Sequence, residues 1–137
     1  MSRSDDSDVR RVLKLGEADI IDLRVSREVL DDADWIVRKR LPASLPLLVV
    51  LIDACNIATT LDPNQDTIAA CVEMTGYLPD ARVLAAAVDC DCDLFVTFDF
   101  EHFLQNPLIG PPNTRLKVVD AYQALEWIAR FIDNETV

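Results

Sequence analysis

The sequence has no long apolar run, a single histidine and few basic residues, and each shortage narrows the possible functions. No apolar stretch approaches the roughly 20 residues of a membrane-spanning helix. The first residues are polar and acidic, unlike those of a signal peptide. We therefore expect a cytoplasmic protein that does not enter a membrane.

Residues that bind zinc are also scarce. The chain holds one histidine, and its four cysteines, Cys55, Cys71, Cys90 and Cys92, show no C-x-x-C spacing. This composition argues against a zinc site. In a cytoplasmic chain we expect these cysteines to be reduced thiols, several of them in the core.

Acidic residues outnumber basic ones by 24 to 13, which gives a formal net charge of -11. This balance argues against capture of nucleic acid by a broad basic face. It does not exclude a nucleic-acid enzyme whose acids hold metal ions, because bound cations reverse the local field. The basic groups at Arg10–Lys14 and Arg38–Arg40 are also explained as solvated helix faces.

Helical and strand patterns alternate along the chain, which predicts a single α/β domain over residues 1–137 with a mostly parallel sheet. The polar segment Met1–Asp8 is predicted to be a frayed, flexible terminus. Gly16 and Gly76 are predicted to end helices, and Ser26 to cap one. The predicted helices are Val9–Leu15, Arg27–Leu41, Asp66–Thr75, one opening at Asp80 and one after Asp120; the predicted strands are Ile20–Val25, Leu94–Phe98 and Leu116–Val119.

The segment Leu45–Ile57 is ambiguous. Its unbroken apolar run Leu47–Ile52 fits a buried strand ending at Asp53 or the middle of a buried helix, and periodicity does not separate the two. We favour a buried helix, followed by a short strand near Ile57–Leu61.

Two carboxylates are placed where a parallel sheet binds ligands. Asp99 follows a buried strand, and Asp80 opens the helix that leads into that strand. Clustered carboxylates repel one another unless a cation lies between them, and Mg²⁺ or Mn²⁺ prefers such oxygen ligands. Such a metal activates water and stabilises charge on a phosphodiester. On spacing alone, the favoured interpretation is that Asp80 is a helix cap and Asp99 a loop acid.

The same block resembles a known family. The stretch LPDARVLAAAVDCDCDLFVTFDFEHFL is similar to the C-terminal half of a PIN domain, the fold of VapC-like toxin ribonucleases. The family pattern is an Asp opening an Ala-rich helix, an apolar strand, Thr-x-Asp and a short helix. The matching residues are Asp80, Leu84–Ala87, Leu94–Val96, Thr97, Asp99 and His102–Leu104.

Upstream, Ile20–Val37 is similar to the family's second strand and the helix that carries its acidic residue. Asp32 falls where we place that acid, with Glu28 as the fallback. The resemblance implies a PIN-like three-layer fold in which Asp80, Asp99 and Asp32 hold Mg²⁺ or Mn²⁺, supported by hydrogen bonding from Thr97.

The resemblance also implies a function. The chain is expected to be a metal-dependent ribonuclease that hydrolyses RNA phosphodiester bonds, as the toxin of a toxin–antitoxin pair. Its partners would be RNA, an antitoxin protein and a second copy in a homodimer. Arg82, Arg27 and Arg38 are the candidate RNA contacts.

One feature of the family is missing. Its members begin with a central strand ending in an Asp, whereas no strand pattern precedes the first helix here, so the chain is expected to be truncated or degenerate. Leu47–Ile52 with Asp53 and Asn56 is a possible substitute. The alternative function is a non-catalytic PIN-like interaction module. A third is a phospho-receiver domain using Asp99 and Lys117.

Overall fold

A computed structural model describes residues 6–110 and 113–135. The chain divides into two compact units. The larger unit is Leu13–Cys90, and the second comprises residues 1–12 and 91–137.

The first described element is helix α1, Asp6–Glu17. Asp6 and Asp8 lie in its first turn, where acidic side chains interact favourably with the helix dipole. Asp8 is only 6% exposed. The prediction of a frayed terminus is therefore wrong for residues 6–8, and the rest of that segment lies outside the described residues.

Gly16 lies inside α1 and does not end it as predicted. A Cβ atom at this position would lie 2.3 Å from Cδ1 of Leu23 and 2.9 Å from the carbonyl oxygen of Cys55. The glycine is needed because neighbouring segments pack closely against the helix. The helix continues to Glu17.

The larger unit alternates short strands and helices. Strands β1 (Arg24–Val25) and β2 (Ala58–Thr59) pair in parallel, with Arg24 opposite Ala58 and Val25 opposite Thr59. The remaining elements are helices. In chain order the unit contains β1 (Arg24–Val25), α2 (Arg27–Arg40), a 3-10 helix (Pro42–Ser44), α3 (Leu45–Ala54), β2 (Ala58–Thr59), α4 (Gln65–Thr75) and α5 (Leu78–Asp89).

The first predicted strand, Ile20–Val25, is shortened to its last two residues. The amide N–H groups of Ile20 and Ile21 instead reach back to the carbonyl oxygen of Leu15, at 2.9 and 3.5 Å. These bonds close the turn after α1, so Ile20 and Ile21 do not join the sheet, whereas the Leu23 carbonyl accepts a hydrogen bond from the Ala58 N–H at 3.0 Å.

The ambiguous segment is the helix α3, as we favoured, but it is not buried. Every residue of α3 is described, and none of them is buried. Leu47–Ile52 is therefore not a substitute strand. The short strand predicted after it is present as β2.

The core of the larger unit lies between α4 and α5. Cys71 of α4 and Ala81, Leu84 and Ala85 of α5 are 0% exposed. The small alanine side chains let the two helices approach closely. Gly76 ends α4 in the left-handed conformation with φ of 70°, as predicted.

The second unit contains β3 (Leu94–Val96), a π-helical turn (Phe100–Leu104), β4 (Lys117–Val119) and α6 (Ala121–Glu135). β3 and β4 pair in parallel, and α6 packs on both strands. Asp120 caps α6 as predicted. Its Oδ1 accepts from the Gln123 N–H at 2.8 Å, and the Gln123 side chain accepts from the Asp120 N–H at 3.0 Å.

The protein is thus α/β, and its described strands form two parallel pairs, as the alternation of patterns predicts. Among the described residues, no helix is both long and apolar enough to cross a membrane. The four cysteines are free thiols, and Cys55 and Cys71 are buried.

Candidate functional site

The larger unit contains a cavity of about 320 Å³ at the carboxyl ends of its parallel strands. Ser26 directly follows β1 and Thr60 directly follows β2, and both line the cavity. This edge is where open α/β sheets bind ligands. The remaining lining residues are Arg27, Glu28, Asp31, Leu61, Asp62, Pro63, Gln65, Ile68, Arg82 and Ala86.

The N-terminus of α2 is fixed beside this cavity by its cap. Ser26 has extended backbone angles, and its Oγ accepts a hydrogen bond from the Val29 N–H at 3.2 Å. The cap therefore sets where α2 begins. As a result, Arg27, Glu28 and Asp31 lie along the cavity within the first turns of the helix.

An ion pair links α2 to α5 across the cavity lining. Nη1 of Arg82 lies 3.4 Å from Oε1 of Glu28, and the two side chains are 46% and 40% exposed. At that exposure such a pair contributes up to about 1 kcal/mol. The lining holds two arginines, Arg27 and Arg82, against three acids, so it presents charge of both signs.

Thr60 lines the cavity and carries a hydroxyl group that makes no hydrogen bond to the described part of the chain. Its backbone N–H donates to the Val25 carbonyl at 2.9 Å, which fixes the residue at the end of β2. Its Oγ1 is shielded from solvent and has no hydrogen-bond partner in the described part of the chain. An unsatisfied buried hydroxyl costs about 1–3 kcal/mol. No sequence pattern identifies Thr60.

Asp80 lies in the first turn of α5, as the sequence predicts. Its Oδ2 atom is shielded from solvent, and no described group donates a hydrogen bond to it. A carboxylate oxygen in that condition is costly unless a cation or another donor reaches it.

The acids of α2 are arranged differently from the prediction. Asp31 lines the cavity together with Glu28, whereas Asp32 is not part of the lining, although both aspartates are exposed. On a helix, residues three and four apart share a face, so Glu28 is compatible with either neighbour. The spacing alone therefore does not choose between Asp31 and Asp32. The prediction from sequence names Asp32, and it does not include Asp31.

Asp99 belongs to the second unit, where its carboxylate is engaged locally. Oδ1 accepts from the His102 N–H at 3.0 Å, and Oδ2 lies 3.0 Å from Nδ1 of the same residue. Thr97 Oγ1 accepts from the Asp99 N–H at 3.0 Å. Thr97 thus holds the Asp99 backbone in place by a hydrogen bond.

Comparisons with protein-family models, curated proteins and solved structures found no match to this chain.

Among the described residues, no group of three or more His, Cys, Asp or Glu side chains is arranged to hold a metal ion. The available donors nevertheless suit a hard cation. They are carboxylates, and one of their oxygens, Oδ2 of Asp80, is shielded and unpartnered. The predicted RNA contact Arg38 is instead on the exposed part of α2, where its Nε lies 2.8 Å from Asp34.

Proposed function

We propose that this chain is a PIN-like, divalent-metal-dependent ribonuclease that hydrolyses RNA phosphodiester bonds. The observation that carries the proposal is the shielded, unpartnered Oδ2 of Asp80. Asp80 is also the residue that opens the Ala-rich helix in the motif that resembles the family. Both the shielded oxygen and the resemblance therefore support a cation at Asp80.

Within the larger unit, the proposed ligands of Mg²⁺ or Mn²⁺ are Asp80 and one acid of α2. Asp31 is preferred over Asp32 for that last position because it lines the cavity. When bound, the cation would supply Lewis acidity that activates water and neutralises charge on the phosphodiester. In the second unit, Thr97 fixes the backbone of Asp99, which is a metal ligand only by the resemblance.

The cavity is the proposed place for the RNA backbone of one nucleotide. Arg27 and Arg82 supply positive charge at its lining. Guanidinium groups suit phosphate oxygens because they offer a planar set of N–H donors. With a net charge of -11, affinity for RNA would depend on these few residues and on the bound cation.

The resemblance extends the proposal to partners. A nuclease of this kind would be the toxin of a toxin–antitoxin pair, held inactive in the cytoplasm by an antitoxin protein. This part of the proposal has support only from the motif.

The decisive experiment compares wild type with Asp80→Asn in Mn²⁺-dependent cleavage of RNA and in calorimetric titration with Mn²⁺. We expect wild type to cleave and to bind the ion, and the variant to lose both. Asp66→Asn is a matched control, because Asp66 occupies the first turn of α4 as Asp80 does in α5. Cleavage by Asp80→Asn at the wild-type rate would overturn the assignment.

The alternative is a non-catalytic interaction module. It is favoured by the engagement of two predicted site acids within the protein, Glu28 by Arg82 and Asp99 by His102. In that case wild type would neither bind Mn²⁺ stoichiometrically nor cleave RNA. The calorimetric titration therefore separates the two functions without relying on the correct RNA substrate.

A further inference from the structure

Trp35 of α2 is an exposed aromatic side chain beside a positive charge. It exposes 60% of its surface, whereas tryptophan is highly buried on average. Nζ of Lys39 lies 5.8 Å from the centre of its ring, which is a cation–π distance. The chain's other tryptophan, Trp127 of α6, is half-buried and stacks on Phe131 with the ring centres 5.3 Å apart. Trp35 therefore offers solvent an aromatic surface on which a planar group can stack.

Trp35 continues a ridge of α2 that begins at the cavity lining. Residues four apart form such a ridge along the surface of a helix. Arg27, Asp31, Trp35 and Lys39 follow this spacing, all four are exposed, and the first two line the cavity. We name these four residues the α2 row. From Asp31 to Lys39 the row extends about 12 Å along the helix, so a chain whose backbone occupies the cavity can continue along it.

The charges of the α2 row suit a polyanion better than those of the chain as a whole. The row carries two positive charges and one negative charge, whereas the net charge of the chain is -11. The neighbouring ridge contains Asp34 and Arg38, which are paired with each other at 2.8 Å. Lys39 instead lies against the Trp35 ring. A phosphate bound by Lys39 would therefore lie next to a base stacked on Trp35.

We propose that the α2 row binds single-stranded RNA next to the nucleotide in the cavity, with a base stacked on Trp35 and a phosphate near Lys39. The inference rests on the proposed function, because it takes RNA as the ligand of the cavity. Only an unpaired base offers its face to an aromatic side chain, and every base can stack in this way. The row therefore selects unpaired RNA over duplex RNA without selecting a sequence.

The first test measures the dissociation constant of a short fluorescein-labelled oligoadenylate by anisotropy, at low salt with EDTA so that no RNA is cleaved. Trp35→Leu should raise the dissociation constant by about fivefold or more, because it removes the stacking surface. Trp35→Phe should restore most of the affinity. Tyr77→Leu is the matched control, since Tyr77 is 59% exposed in the same unit but lies outside the α2 row. Circular dichroism melts check that the variants are folded.

The second test separates stacking from charge and single strands from duplex. Lys39→Gln should lower the slope of log affinity against log salt by about 0.7, whereas Trp35→Leu should leave that slope unchanged. Binding of the same RNA annealed to its complement should not depend on Trp35. In a Trp127→Phe background, where Trp35 is the remaining tryptophan, single-stranded RNA should quench the emission and duplex RNA should not.

Several outcomes would overturn the proposal: no binding of oligoadenylate by wild type, equal affinities of wild type and Trp35→Leu, equal losses for Trp35→Leu and Tyr77→Leu, or a loss as large for duplex RNA. A molecular mass that changes in Trp35→Leu by light scattering, with RNA affinity unchanged, would overturn it too and mark the ring as a protein contact. RNA that binds through Trp35 but is never cleaved with Mn²⁺ would overturn the proposed nuclease and support the row. Cleavage by wild type with binding independent of Trp35 would overturn the row alone.

Discussion

The guanidinium of Arg82 lies 3.4 Å from the carboxylate of Glu28, so α5 and α2 are joined by a charged pair at the lining of one cavity. The two residues are 54 positions apart in the chain. The contact leaves Arg82 at the cavity lining, while the negative charge of Glu28 partly neutralises the guanidinium. Glu28 therefore weakens the binding of any anion to Arg82.

Arg82→Gln is expected to weaken RNA binding several-fold. A residue that contacts phosphate contributes through counterion release, so the slope of log affinity against log salt should fall by about one. Fluorescence anisotropy with a short RNA over a salt series measures both quantities. Arg38→Gln is the control, because Arg38 is exposed, paired with Asp34 and absent from the cavity lining. Equal losses for the two variants would contradict a role specific to the cavity.

Asp31→Asn and Asp32→Asn form a matched pair of adjacent, isosteric changes. Because Asp31 lines the cavity and Asp32 does not, Asp31→Asn should lower Mn²⁺-dependent cleavage at least a hundredfold, and Asp32→Asn by less than threefold. Single-turnover cleavage of one RNA substrate gives both rates. The reverse order of effects would restore the acid predicted from sequence, Asp32.

Asp89→Ala is expected to destabilise the contact between α4 and α5. The Asp89 carboxylate accepts from the Asn64 N–H at 2.6 Å and from the Thr67 hydroxyl at 2.7 Å, and so holds the first turn of α4. Loss of both bonds should lower the free energy of unfolding by about 1–2 kcal/mol. Urea unfolding measures the change. The Asp34 carboxylate forms an exposed ion pair within its own helix. The free energy of unfolding of Asp34→Ala should therefore stay within about 0.5 kcal/mol of the wild-type value.

Cys71 should make stability fall at alkaline pH. Burial raises the pKa of its thiol from 9.0 to about 11, and the charge of Asp89 adds to the shift. Above pH 9 the unfolded chain releases this proton while the folded chain retains it. The thiol therefore lowers the free energy of unfolding progressively between pH 9 and about 11, by on the order of 2–3 kcal/mol.

Urea unfolding of wild type and Cys71→Ala at pH 8 and pH 11 isolates this contribution from other alkaline titrations. The difference in the free energy of unfolding between wild type and Cys71→Ala should change by about 2–3 kcal/mol from pH 8 to pH 11. Cys90→Ala is the control, because Cys90 is only half-buried. An unchanged difference for Cys71→Ala would mean that the thiol ionises equally in both states.

Helix positions were predicted well where local caps set them. The helix predicted at Arg27–Leu41 is present as Arg27–Arg40, with Ser26 capping it. The helix before Gly76 likewise ends where predicted. Strands were predicted less well, since only Arg24 and Val25 of the predicted Ile20–Val25 have a pairing partner. A helix is bonded within itself, but a strand exists only where another strand reaches it.

The sequence by itself determined the α/β class, most of the helix caps and the position of Asp80 at the opening of an Ala-rich helix. These features depend on residues within about four positions of one another. Only the tertiary structure decided that Asp31, Thr60 and Arg82 line one cavity and that the apolar run Leu47–Ile52 is an exposed helix. The reason is that burial and shared cavities arise from contacts between segments distant in the chain, which no local pattern contains.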